Sequence, residues 1–181
     1  MDILQAIARR RSIRSFKPDQ ISDEILTKVL MAAQAAPSAG NRQAREIVIV
    51  RDYAVKAALT EAAFHQFFLQ EAPVDLVFCA NPGKSQQRYG ERGHDLYCIL
   101  DTAASIQNVL LAAQAFGLGS CWVGAFNEEA VREALELPEE VRPITLIPIG
   151  YPNEQPDPTT RLSLEEFVHA EHYGQPWRKM L

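Results

Sequence analysis

Apolar residues recur along this chain with two different periods. Ile3, Leu4, Ile7 and Ala8 fall at helical spacing, which predicts a short amphipathic helix over residues 2–10. Ser22 is placed to cap a second helix, with Asp23 and Glu24 in its first turn, where the helix dipole favours acids. Ile25, Leu26, Val29, Leu30 and Ala33 mark its buried face, and it ends before Pro37. Pro37 to Asn41 reads as a loop, Ile47 to Val50 as a buried strand and residues 53–69 as a helix stopped before Pro73. Val74 to Ala80 reads as a second buried strand. The polar stretch Asn81 to Arg92 is expected to be a mobile surface segment.

A long helix is predicted from about His94 to Phe116, broken by Gly117-Leu118-Gly119. Ser120 to Val123 suits a short strand. Asn127 caps a further helix that ends before Pro138. Ile144 to Ile149 is the last strand, and its Pro148 marks it as an edge or a bulge. Three prolines within residues 152–158 predict an extended connector, and Ser163 with Glu166 forms a capping-box pattern that opens a terminal helix. Strands and helices alternate, but no turn carries a dinucleotide or Walker fingerprint: Gly117-Leu118-Gly119 follows a helix, not a strand.

Composition narrows the function classes. The chain has 181 residues, 47% hydrophobic and 23% charged, the size of one domain that buries its own core. A formal net charge of -5 argues against a broad nucleic-acid footprint. No apolar run approaches the ~18 residues of a membrane span, and the amino end lacks the pattern of a signal peptide. Cys79, Cys98 and Cys121 are odd in number and widely spaced, which predicts reduced, buried thiols in a cytoplasmic protein.

Three segments carry candidate chemistry. Arg9, Arg10, Arg11 and Arg14 surround Ser12. Guanidiniums and a hydroxyl suit a phosphate monoester, and the same cluster also suits a solvated basic helix end. Ser38, Asn41 and Gln43 offer donors and acceptors to a planar ligand, or plain turn chemistry. Gly117 to Phe126 contains small residues that admit close backbone approach to a flat ligand, or a helix stop and strand. Asp101 reads as structural. Glu166 and His169 have no second copy of their spacing to complete a di-metal site.

Taken in order, Arg10-Arg11-Ser12-Ile13-Arg14, Pro37-Ser38-Ala39-Gly40-Asn41 with Gln43, Asp101-Thr102-Ala103-Ala104 before Gln107-Asn108, Gly117 to Phe126, and Ile149-Gly150-Tyr151-Pro152 resemble the FMN-dependent nitroreductase family over nearly the whole chain. The resemblance implies an α+β fold: a mixed, mainly antiparallel sheet flanked by helices. It also implies an intertwined homodimer with FMN at the subunit interface. Residues 1–181 would form one domain, with 152–181 an extension packing on the partner subunit.

By the same resemblance, Arg10, Arg11, Ser12 and Arg14 hold the flavin phosphate, ribityl chain and pyrimidine side. Pro37, Ser38, Ala39 and Asn41 pack on the flavin from the partner subunit. Trp122, Val123, Gly124 and Ala125 lie along the ring near N5, Arg161 reaches the phosphate, and Gln66 contacts the ring. The implied activity uses NADH or NADPH as donor, and a nitroaromatic, a quinone or a similar small molecule as acceptor, by ping-pong hydride transfer with no catalytic side chain required. Relatives with dehalogenating or flavin-fragmenting chemistry, and a non-catalytic FMN carrier or sensor, are the alternatives. The family often follows Asn-x-Gln with Pro and an aromatic residue. Here Ala44 and Arg45 stand there, which bears on substrate preference.

Overall fold

The computed structural model describes residues 1–177. The amino end forms helix α1 (Ile3–Arg9), capped by the Asp2 carboxylate, which accepts from the Gln5 N–H. Helix α2 (Asp23–Gln34) starts at Ser22, as its cap and acidic first turn require. Strand β1 (Arg45–Val50) follows the loop that contains Asn41. The expected helix over 53–69 is two pieces, α3 (Tyr53–Ala62) and α4 (Phe68–Glu71). Between them Phe64 and His65 take left-handed backbone angles, φ 56° and 61°, which the hydrophobic pattern does not announce.

Strand β2 (Val74–Ala80) is buried at all seven positions. The segment expected to be mobile is instead helix α5 (Pro82–Arg92), with Pro82 in its first turn and a kink at Gly90. It is pinned from outside: Arg42 Nε donates to the Lys84 carbonyl at 2.8 Å, and Lys84 Nζ meets the Glu46 carboxylate at 2.5 Å. One wide π turn over Gly93–Tyr97 leads into helix α6 (Cys98–Ala115). By length and composition the helical stretch 82–115 is long and apolar enough to cross a membrane. However, α6 is a core helix: Ser105 Oγ and Asn108 Nδ2 bond to the Ala33 and Ala32 carbonyls of α2, while Ile106, Val109 and Ala113 are fully buried. Strand β3 (Gly119–Ser120), helix α7 (Glu128–Ala134), strand β4 (Arg142–Gly150) and the single turn α8 (Leu164–Phe167) complete the order. The Ser163–Glu166 capping box forms at the last of these.

The four strands pair antiparallel in the order β1-β2-β4-β3. Alternation along β2 sends Leu76 and Phe78 to one face, against α2 and α6, and Val77 and Cys79 to the other, against α3, α4 and α7. Cys79, Cys98 and Cys121 are all buried free thiols. A polar pair lies in the second layer. Asp75 is fully buried with neither carboxylate oxygen hydrogen-bonded, and Lys56 on α3 donates to the Gln70 and Ala72 carbonyls at the end of α4. Burial pushes the Asp75 carboxyl well above the usual range and pulls Lys56 down, against their mutual attraction.

Pro148 corrects the expectation of an edge or bulge. It sits in an inner strand, opposite Asp75, and the register shift of this ladder lies elsewhere, at Phe78/Cys79. Leu146 exchanges both 3.0 Å backbone bonds with Val123, so alternation points the Pro148 nitrogen to the β3 side as well. Pro148 has no N–H to give there. The ladder therefore lapses between Ser120 and Val123 although the register is continuous across the gap.

Candidate active site

The basic segment and the glycine-punctuated segment meet. After α1 the chain runs extended, Ser12 pairs parallel with Ser120, and the Ile13 N–H donates to the Ser120 carbonyl at 3.0 Å. Only glycine permits this approach. A Cβ on Gly119 would lie 2.8–2.9 Å from three atoms of Ile13. Further along, Lys17 N–H bonds to the Tyr151 carbonyl, and Glu154 accepts from the Arg14 and Ser15 amides, fixing the segment against the connector after β4.

Extended backbone alternates its side chains, so Ser12 and Arg14 share one side and Ile13 takes the other. Burial raises the Cys121 thiol, while Arg14, a hydrogen bond with Ser12, and Arg10 pull it down. The Ser12–Ser120 bridge sets the Ser12 and Arg14 side of the extended segment at the start of residues 121–125. Arg14 also lies over the Phe68 ring, 6.0 Å from its centroid. Gln66 Nε2 bridges the Ala63 and Ala125 carbonyls at 2.9 and 3.0 Å. Val123 is tied into the sheet, whereas among the described residues the amides of Gly124 and Ala125 make no backbone hydrogen bond. Trp122 is half-exposed beside them.

Arg10, Ser12, Arg14, Gln66 and Trp122 to Ala125 thus form one constellation. Arg11 turns away. Its guanidinium bonds to the Ala8 and Arg10 carbonyls at 2.9 Å, and with Arg9 and Ile13 it lines a separate cavity of about 530 Å³ under Pro152 to Pro158.

The loop with Pro37, Ser38, Ala39 and Asn41 lies elsewhere. Its shape comes from within: Ser38 Oγ accepts from the Gln43 N–H at 3.0 Å, and Gly40, Asn41 and Gln43 all have positive φ. Asp101, on the first turn of α6, accepts from the Ala39 N–H at 2.9 Å and is 4% exposed. The Arg segment instead adjoins the far end of α6, where Leu118 and Gly119 follow it. Gln114 stands thirteen helical steps beyond Asp101, about 20 Å at the helical rise. Within one chain the two candidate segments therefore lie at opposite ends of α6.

Arg161 joins neither. It bonds to Thr159 and Thr160 in an exposed segment. Sequence reasoning had no signal for Glu154 or Phe68, which depend on contacts between segments far apart in the chain. Asp101 was legible as structural, and its task is to hold the loop.

The chain belongs to the nitroreductase family, whose model matches residues 7–67 and 59–151. It is 35% identical over 195 residues to an NADH dehydrogenase of Thermus thermophilus, covering 93% of this chain and 95% of that one. It is 30% identical over 186 residues to an FMN reductase [NAD(P)H] of Bacillus subtilis, covering 95% and 74%. Among solved structures, an NADPH:FMN oxidoreductase of Vibrio harveyi in complex with NAD+ superposes with a TM-score of 0.86 at 30% identity, covering 96% of this chain and 78% of that one.

Proposed function

We infer that this protein is an FMN-dependent oxidoreductase that takes electrons from NADH or NADPH and gives them to nitroaromatics, quinones or related small acceptors. The carrying observation is the convergence of the Arg10–Arg14 segment with the free amides of Gly124 and Ala125 across the Ser12–Ser120 bridge. The residues present fit the cofactor. Guanidiniums and a hydroxyl suit a phosphate dianion, and free amides on a glycine-containing segment suit the polar edge of a flat ring.

When bound, FMN supplies the redox chemistry, accepting a hydride equivalent from the donor and passing two electrons to the acceptor. The chain's own residues bind and orient it. Arg10 would neutralise the phosphate and Ser12 would donate a hydrogen bond to it. Arg14, held over Phe68 and by Glu154 at its amide, would supply a cation to the pyrimidine side of the ring and so favour the reduced cofactor. Gly124 or Ala125 offers an N–H to the ring edge, and Gln66 keeps that backbone in place through the Ala125 carbonyl.

A second copy completes the site. The half-sites at the two ends of α6 cannot close on each other within one chain, and Pro37, Ser38, Ala39 and Asn41 reach the flavin of the partner. Exposed Ile3, Leu4 and Ile7 on α1, and Leu162, Leu164 and Phe167 in the extension after residue 152, supply the apolar surface such an interface buries. Arg161 belongs to that extension and approaches the phosphate only on assembly. The three buried thiols suit the reducing cytoplasm.

Anaerobic mixing of the flavin-loaded protein with NADH or NADPH tests the reading. Loss of the oxidised-flavin absorbance followed by its return with a nitroaromatic or quinone is expected, and a flavin that neither donor bleaches overturns it.

A further inference from the structure

The kinked helix α5 carries a feature that the flavin cradle does not use. Arg88 and Arg92 are exposed, four residues apart across the Gly90 kink, and each lies on a tyrosine: Arg88 5.6 Å from the Tyr89 ring centroid and Arg92 5.4 Å from that of Tyr97. The two rings meet edge to face at 5.2 Å, and Arg92 Nε donates to the Tyr97 hydroxyl at 3.0 Å. Among the described residues neither guanidinium has a carboxylate partner. The nearby acid Asp95 is engaged by His94 at 2.7 Å, Glu46 by Lys84, and Glu91 stands exposed on the same helix.

Stacking restricts a guanidinium without using its edge; Arg92 gives its Nε–H to Tyr97, which leaves the terminal N–H groups of both arginines to receive a phosphate in bidentate fashion. Gly90 makes the turn between the two arginines, with φ 58° and ψ -143°, a conformation open essentially to glycine alone.

The cluster also touches the half-site loop. A Cβ on Gly40 would collide with the Tyr89 hydroxyl and lie 3.2 Å from Arg88 Nη1. Arg88 is therefore packed beside the segment that meets the partner's flavin. We propose that Arg88 and Arg92, stacked on Tyr89 and Tyr97, form the binding site for a phosphate group of the dinucleotide donor. This rests on the function inferred above. Nitroaromatic and quinone acceptors carry no phosphate, whereas either donor brings a pyrophosphate and NADPH adds a 2′-phosphate. In a chain of net charge -5, two unpaired cations beside the site also raise the local concentration of such an anion.

The test uses the flavin-loaded wild-type protein, the Arg88→Ala/Arg92→Ala double variant, and Arg51→Ala as a charge control on the Asp23 ion pair. Flavin bleaching is followed anaerobically with NADH, NADPH and the phosphate-free donor 1-benzyl-1,4-dihydronicotinamide, and binding of inorganic pyrophosphate is measured by calorimetry. The double variant is expected to lose at least tenfold in the second-order rate with the dinucleotides, to lose pyrophosphate binding, and to keep the wild-type rate with the benzyl donor. Arg51→Ala is expected to behave as wild type. A loss confined to NADPH assigns the site to the 2′-phosphate, and a loss with both donors assigns it to the pyrophosphate. Unchanged dinucleotide rates, or an equal loss with the benzyl donor, would overturn the proposal. Wild-type flavin that no donor bleaches would sink the function instead, and pyrophosphate binding would then still decide for or against the arginine site.

Discussion

Replacing Gly119 by alanine puts the central contact of the site under test. The new Cβ would stand 2.8 Å from Ile13 Cγ1 and 2.9 Å from Cβ and Cγ2, so the strands must part by roughly half an ångström. Gly119 does not have a left-handed φ, so alanine gains the unfolded-state entropy benefit, about 0.4–1 kcal/mol. Overpacking a well-filled contact costs about 1–3 kcal/mol, and it wins. A net loss near 1–2 kcal/mol lowers Tm by about 2–8 °C in a chain of this size.

The same parting moves Ser12 and Arg14 away from the Cys121–Ala125 backbone, so FMN retention on gel filtration should fall together with stability. Ile13→Ala removes two of the three clashing atoms. The double variant should therefore be more stable than the sum of the two single losses, a coupling that a double-mutant cycle in urea reads directly. Wild-type Tm and flavin retention in Gly119→Ala, or strict additivity in the double variant, would refute the account.

Other outcomes follow from the same contacts. Asp101→Ala leaves the Ala39 N–H without its acceptor, costs about 1–3 kcal/mol, and should weaken FMN binding although Asp101 is remote from the arginine half-site; urea unfolding and flavin titration check it. Arg14→Met should keep FMN bound but lower its two-electron potential, by about 30 mV for each 1.4 kcal/mol of lost stabilisation of the reduced form, read by dye-equilibrated titration. Lys56→Met strips the Gln70 and Ala72 carbonyls of their donor and should destabilise by about 1–3 kcal/mol in thermal melts. Folded Asp75 keeps its proton above the pH at which the unfolded chain has released it, so its contribution to stability falls as pH rises from the ordinary aspartate value toward the raised one. Asp75→Asn should therefore gain on the wild type as pH rises above the ordinary aspartate range in urea titrations, and an opposite drift would contradict the burial argument.

Much of the architecture was legible because it depends on local physics. Caps at Ser22 and Asn127, the capping box at Ser163, the helical stripe of α2 and the apolar run of β2 are each decided within a few residues, and they stand where the pattern put them. The constellation Arg10, Ser12, Arg14 and Trp122 to Ala125 was legible as residue types in sequence, the glycine at 119 included.

What local pattern cannot hold is contact between distant segments. The break at Phe64–His65 comes from a chain turning to deliver Gln66 to Ala125, and the ordering of α5 comes from Arg42 and Glu46, some forty residues upstream. Pro148 looked like an edge signal. Which side of an inner strand its missing N–H faces depends on the register with Val123, which is set only when the sheet assembles. Likewise, residue identity marks the loop at Ser38 and the basic segment at Ser12 as candidates, but their separation by the length of α6 is a property of the packed molecule. Sequence by itself determined the elements and the chemistry available, because these follow from neighbouring residues. The tertiary structure decided which chemistry meets, because burial and hydrogen-bond register act across the whole chain at once.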